Sequence, residues 1–149
     1  MNSLTEVFSN QALVGSITAW LIAQILKVII VFIKHGRLDF ARLIGSGGMP
    51  SSHTAFVVTL AGIVGYINGF GSVGFAICFV LACITMYDAA GVRRAAGKQA
   101  EMLNKLIYEH YSPDEFNQKL KELLGHTPLE VFAGAVLGIV VAIVFCLYF

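Results

Sequence analysis

Leu129–Phe149, LEVFAGAVLGIVVAIVFCLYF, carries a single charged side chain, Glu130, at its start and is otherwise apolar to its end. A helix needs about 20 predominantly apolar residues to cross a hydrocarbon core, so this stretch predicts a membrane span. Composition extends the reading to the whole chain. Hydrophobic residues make up 57% and charged residues 13%, with a mean hydropathy of +0.78, whereas soluble domains are about 25% charged. The sequence therefore reads as an integral membrane protein.

Moving upstream, Ala12 to Ile33 is a second long apolar segment, interrupted by Gln24 and Lys27. Thr54 to Tyr87 is apolar almost throughout but is broken by Asn68-Gly69-Phe70-Gly71, a turn signal that predicts a tight helical hairpin. Its arms are short for full spans, and each is expected to continue as helix toward the polar connections, with His53 and Asp88 near the headgroups. The expected organisation is a single all-α, polytopic helical bundle with about four transmembrane helices. They cover roughly residues 12–33, 52–67, 72–88 and 129–149, and a helical connection covers roughly 89–127. The first ten residues carry Glu6 and no basic residue, unlike a secretory signal peptide, so the first apolar segment is expected to be retained.

Charge placement gives the orientation. Apart from Lys27, the basic residues lie in the first connection (Lys34, Arg37, Arg42) or the third (Arg93, Arg94, Lys98, Lys105, Lys119, Lys121), and the hairpin turn has none. By the positive-inside tendency both connections face the cytoplasm. The net charge of +1 and the lack of a long basic run give no support for nucleic-acid binding. Cys78, Cys83 and Cys146 sit in apolar runs and read as small hydrophobes, not as a disulfide framework or metal cluster.

The third connection has its own pattern. Met102, Leu103, Leu106 and Ile107 recur at helical spacing between Gly97 and His110. Ser112-Pro113-Asp114-Glu115 then supplies capping signals for a second short amphipathic helix running to Leu124.

Two histidines stand at the mouths of apolar runs, in Gly47-Gly48-Met49-Pro50-Ser51-Ser52-His53 and in His126-Thr127-Pro128-Leu129-Glu130. The first stretch outlines a phosphate cradle, in which Gly47 and Gly48 amides and the Ser51 and Ser52 hydroxyls meet an anion at a helix N-terminus. An ordinary N-cap serine explains the same residues. In the second stretch, Thr127 to Glu130 reads as a capping box with Pro128 at the first helical position. The box does not explain His126, whose ring a carboxylate one turn away would orient, leaving the other nitrogen nucleophilic.

Asp88 in Tyr87-Asp88-Ala89-Ala90-Gly91-Val92-Arg93-Arg94 closes the hairpin's second arm and needs a cationic partner, with Arg93, Arg94 and Lys98 as candidates. The arginines read equally as membrane-edge anchors and as bidentate phosphate ligands. Lys27 is either a snorkelling lysine or an inward-facing phosphate ligand. The histidines lack paired metal-ligand spacing, and a magnesium site built from Asp88 and Glu130 has no support in the sequence.

These motifs carry a resemblance. Pro50-Ser51-Ser52-His53 resembles the P-S-G-H motif of the type-2 phosphatidic acid phosphatase and vanadium haloperoxidase superfamily, and His126 to Gly134 resembles its H-x-x-x-D-V-x-A-G block. The combination of GGMPSSH, MYDAAGVRR and LGHTPLEV is similar to the divergent branch of that superfamily found in bacteria and plants. The resemblance implies a phosphoric ester hydrolase acting on membrane lipid phosphates. In that scheme His126 attacks phosphorus, Glu130 orients it, His53 protonates the leaving oxygen, and no metal or other cofactor is needed. The expected location is a bacterial cytoplasmic membrane, and because His53 and His126 adjoin the two basic connections, charge placement predicts a site that faces the cytoplasm.

Three departures accompany it. Leu120 stands where the parent has an arginine before the nucleophile, so Arg93 or Arg94 is expected to fill the role. Lys27, Lys34 and Arg42 are candidates for the parent's lysine and arginine. Glutamate replaces aspartate, and four spans replace six helices. The competing class is a non-catalytic lipid-phosphate-binding or transport protein, with Gln24 and Lys27 lining a pathway. A third reading, a structural subunit, draws on Gly134-x-x-x-Gly138, a close-packing motif; a homodimer would be one route to a complete enclosure. Phosphatidate, phosphatidylglycerol phosphate and isoprenyl phosphates all fit a lipid-phosphate substrate.

Overall fold

The structure is a computed structural model that describes residues 3–36, 47–110 and 125–148. Arg42 and the helix expected over 112–124 lie outside the described residues. Among the described residues there are six helices, in chain order α1 (Ser3–Ser9), α2 (Gln11–His35), α3 (Ser52–Asn68), α4 (Val73–Ala90), α5 (Val92–His110) and α6 (Pro128–Tyr148). The chain is an all-helical membrane bundle. The helices at Gln11–Lys34, Val73–Ile107 and Pro128–Tyr148 are long and apolar enough to cross a membrane, and α3 is shorter.

Local chemistry sets most boundaries. Asn10 caps α2 by accepting the N–H of Leu13, and Gly36, in the left-handed region at φ 65°, ends it. Ser51 and Ser72 cap α3 and α4 in the same way as Asn10. The expected hairpin turn falls between Asn68 and Val73.

Helix α5 lies within the helical connection expected over 89–127 but begins ahead of the apolar periodicity read from Gly97. It starts at Val92 because Gly91 interrupts the backbone for only one residue while bonding on both sides: its N–H donates to Tyr87 and its carbonyl accepts from Ala95. Residues 89–96 lack apolar periodicity, yet four of them are alanine, the strongest helix former. Helix α1 had no periodic signal and was not expected.

Helix α3 is the centre of the bundle and packs against α2, α4 and α6. Its buried face is small (Ser52, Thr54, Ala55, Val57, Thr59, Ala61, Ile63, Gly65), so neighbouring backbones approach closely. The Gly134-x-x-x-Gly138 motif faces α3 within the chain. A Cβ at Gly134 would fall 2.5 Å from the Ser51 carbonyl oxygen, and one at Gly138 would fall 2.8 Å from that of Ala55. Without a hydrophobic drive between helices in lipid, such contact and interhelical hydrogen bonds hold them together. Thr59 supplies one, its hydroxyl donating to the Gly138 carbonyl at 3.0 Å. The motif therefore serves α3·α6 packing within the chain.

Candidate active site

Three helix ends converge on one point. The N–H of Ser51 donates to the Glu130 carbonyl at 2.9 Å, tying the start of α3 to the first turn of α6. The N–H of His126 donates to the Ala89 carbonyl, also at 2.9 Å, tying the segment before α6 to the end of α4. Gly125 makes this approach feasible. It adopts φ +87°, and a Cβ there would lie 2.6 Å from the Arg93 carbonyl carbon and closer still to the Arg94 amide nitrogen.

The convergence forms a cleft lined by His53, Thr85, Asp88, Ala89, Arg93, Gly125 and His126. The rings of His53 and His126 meet edge to face, 6.4 Å between centroids and 61° between planes. His53 is exposed, whereas His126 is buried. Nδ1 of His126 lies 3.3 Å from Oε2 of Glu130. With the proton on Nδ1 donated to the carboxylate, Nε2 keeps its lone pair.

The capping box is also present. Glu130 Oε2 accepts the Thr127 N–H at 2.9 Å, and the Glu130 N–H donates to Thr127 Oγ1 at 3.3 Å. The same carboxylate oxygen thus serves the cap and meets the imidazole, because capping fixes the carboxylate that faces the ring.

Burial pushes the His126 imidazole below its ordinary range. The hydrogen bond and charge of Glu130 oppose that shift, while the charges of Lys27 and Arg93 add to it. The net effect favours a neutral ring, the state a nucleophile requires.

Among the candidates for Asp88, Arg93 is its partner, with Nε 2.5 Å from Oδ2. Both project into the cleft with His53 and His126. Arg94 is exposed and does not line the cleft, and Lys98 is exposed on α5.

The residues of the glycine-serine stretch stand behind the cleft. Ser51 is fully buried, its hydroxyl accepting from the Thr54 N–H at 3.4 Å and from Thr54 Oγ1 at 3.0 Å. Lys27, also buried, donates from Nζ to Ser52 Oγ at 3.0 Å. Gly47 and Gly48 take φ values of 109° and 86°, and a Cβ on Gly48 would touch the Lys27 stem at 3.9 Å. This stretch therefore fixes the start of α3 and places a buried cation beneath it.

Sequence reading missed Thr85 and Ala89. Thr85 stands one turn before Asp88 on the same face of α4, a signal available in the i, i+3 spacing. The role of Ala89 resides in its backbone carbonyl, which no side-chain pattern marks.

A helical membrane bundle with a paired-histidine cleft at one end defines the class. The particular assignment follows from similarity: the chain belongs to the Divergent PAP2 family, whose profile matches residues 8–141. It is also 41% identical over 156 residues to the uncharacterized membrane protein YuiD of Bacillus subtilis (strain 168), a match covering 97% of this chain and 99% of that protein. No solved structure matches the chain.

Proposed function

We propose that the protein is a membrane phosphatase that hydrolyses a lipid phosphate monoester or diphosphate through a phosphohistidine. The observation that carries the reading is the pair of imidazoles facing each other across one cleft, with Glu130 holding His126 Nδ1 and Arg93 on the wall.

In the first step the Nε2 lone pair of His126 forms a bond to phosphorus and the P–O bond to the lipid breaks. The bonding electrons pass to the leaving oxygen, which takes a proton from His53. In the second step His53 accepts a proton from water as the water oxygen bonds to phosphorus. The N–P bond then breaks, returning the electron pair to His126 and releasing phosphate. Arg93 balances charge developing on the equatorial oxygens, with Lys27 adding positive field from beneath α3. Glu130 stabilises the imidazolium-like ring during transfer. By charge placement, the cleft opens toward the cytoplasm.

The test is phosphate release by the detergent-purified protein from a panel of lipid phosphates, with chelator present and His126→Ala alongside. We expect release by the native protein and none by the variant, with radiolabelled phosphate trapped on histidine in the native protein alone. Binding of lipid phosphates without release, by a protein that remains folded, would instead establish a non-catalytic lipid-phosphate-binding or transport role.

A further inference from the structure

Helices α2 and α4 both pack on α3, and α6 contacts each of them, but among the described residues α2 and α4 do not contact each other. The described helices are therefore closed on the α6 side and leave a seam between α2 and α4. The floor of the seam is the α3 stripe His53, Phe56 and Val57, and Ile17 and Trp20 of α2 and Thr85 of α4 form its walls. Its volume is about 570 Å³, on the scale of pockets that enclose one small apolar ligand.

Two of these residues, His53 and Thr85, also line the polar cleft. The seam and the cleft are thus continuous, and they meet at the imidazole that has no place in the apolar floor except at its end. A second apolar depression, of about 380 Å³ between α3 and α6, is lined by Val58, Gly62, Tyr66, Phe70 and Ile143 among others. It shares no residue with the cleft.

We propose that the seam between α2 and α4 receives one hydrocarbon chain of the substrate laterally from the bilayer, placing the leaving oxygen at His53 and the phosphate against His126 and Arg93. This rests on the phosphatase reading and deepens it. It accounts for the division of labour between the histidines. An alcohol carried by a chain in the seam departs on the His53 side, so the exposed imidazole is the proton donor. The buried one, held by Glu130, attacks from the opposite side. One chain occupies the seam, and any second chain stays in the bilayer.

The test has two arms on the full-length protein in detergent or nanodiscs. In the first, a hexadecyl phosphate bearing a diazirine near its chain end is photolysed and the adducts are mapped by mass spectrometry. We expect adducts on peptides containing Trp20 and Phe56, competed by unlabelled hexadecyl phosphate but not by hexadecanol. Adducts spread over the outer faces of α4 and α6, or equal competition by hexadecanol, would mean ordinary boundary lipid and overturn the proposal. So would cross-linking of Trp20 to a second copy of the chain in place of lipid.

In the second arm, Ile17→Trp narrows the seam. We expect the ratio of kcat/KM for hexadecyl phosphate to that for para-nitrophenyl phosphate to fall roughly tenfold or more. Ile143→Trp, in the separate depression, should leave the ratio unchanged. An unchanged ratio in Ile17→Trp would overturn the proposal. Competed labelling of the seam without hydrolysis would sink the phosphatase reading and leave the chain site standing; hydrolysis with labelling elsewhere would do the reverse.

Discussion

Oε2 of Glu130 accepts the N–H of Thr127 at 2.9 Å and lies 3.3 Å from Nδ1 of His126. One carboxylate oxygen therefore ends the helix and aims the imidazole. Rotating it away from the ring would also uncap α6, so orientation of His126 is coupled to the stability of the first turn.

Glu130→Gln separates charge from capping. The amide oxygen still accepts from Thr127, but the negative charge that raises the His126 imidazole is gone, leaving burial, Lys27 and Arg93 to push it down. Because the nucleophile must be neutral, activity is lost as pH falls through its pKa. The acid limb of kcat/KM should therefore move to lower pH in the variant, while kcat falls by roughly a hundredfold. A limb that stays put or moves upward would contradict the coupling.

His53→Ala should discriminate between leaving groups. An alkoxide needs its proton in the transition state, whereas para-nitrophenolate departs without one, and positioned proton transfer contributes roughly 10²–10⁴-fold. Initial rates on alkyl and para-nitrophenyl phosphates should show a large loss on the first and a small one on the second. Equal losses would remove the acid role.

Arg93 and Arg94 are adjacent in sequence but differ in position, since only Arg93 lines the cleft. Arg93→Ala should lower kcat by roughly 10²–10³ and weaken inhibition by vanadate. The exposed Arg94→Ala should change kcat less than about threefold, the scale of an ordinary surface substitution. Comparable losses in the two variants would place the functional guanidinium elsewhere.

Gly125→Ala and Gly36→Ala form a matched pair at positive φ. At Gly36 (φ +65°) nothing lies within 4 Å of an added Cβ, so the cost is the left-handed conformation alone, about 1–2 kcal/mol. At Gly125 the methyl group would collide with backbone of Arg93 and Arg94. We expect a larger drop in Tm for Gly125→Ala, together with loss of activity as His126 is displaced from the Ala89 carbonyl. Thermal melts of both variants in detergent decide it, and similar Tm values would refute the close approach.

Much of the fold was legible because membrane spans are long and compositional. The apolar runs, the turn at Asn68 to Gly71 and the capping box at Thr127 each follow from a few neighbouring residues. The boundary between α4 and α5 at Gly91 was not legible, because alanine promotes helix on both sides of it without apolar periodicity. At the candidate site, the contact between His126 and Glu130 was legible, since helical spacing alone sets an i, i+4 pair. The sequence left Arg93, Arg94 and Lys98 as equal partners for Asp88, and it read the serines as candidate phosphate ligands. In the fold, Ser51 caps α3 and Ser52 receives Lys27.

By itself, then, the sequence determined a helical membrane protein with two histidines at the ends of apolar segments and one carboxylate beside the second, because these depend on hydropathy and helical periodicity. The tertiary structure alone decided that the histidines share a cleft, that Arg93 faces it and that a seam opens beside it. Those relations depend on which helix faces meet across 73 positions of chain between His53 and His126. Backbone contacts at Ala89, Gly125, Gly134 and Gly138 control that meeting, and no side-chain pattern announces them.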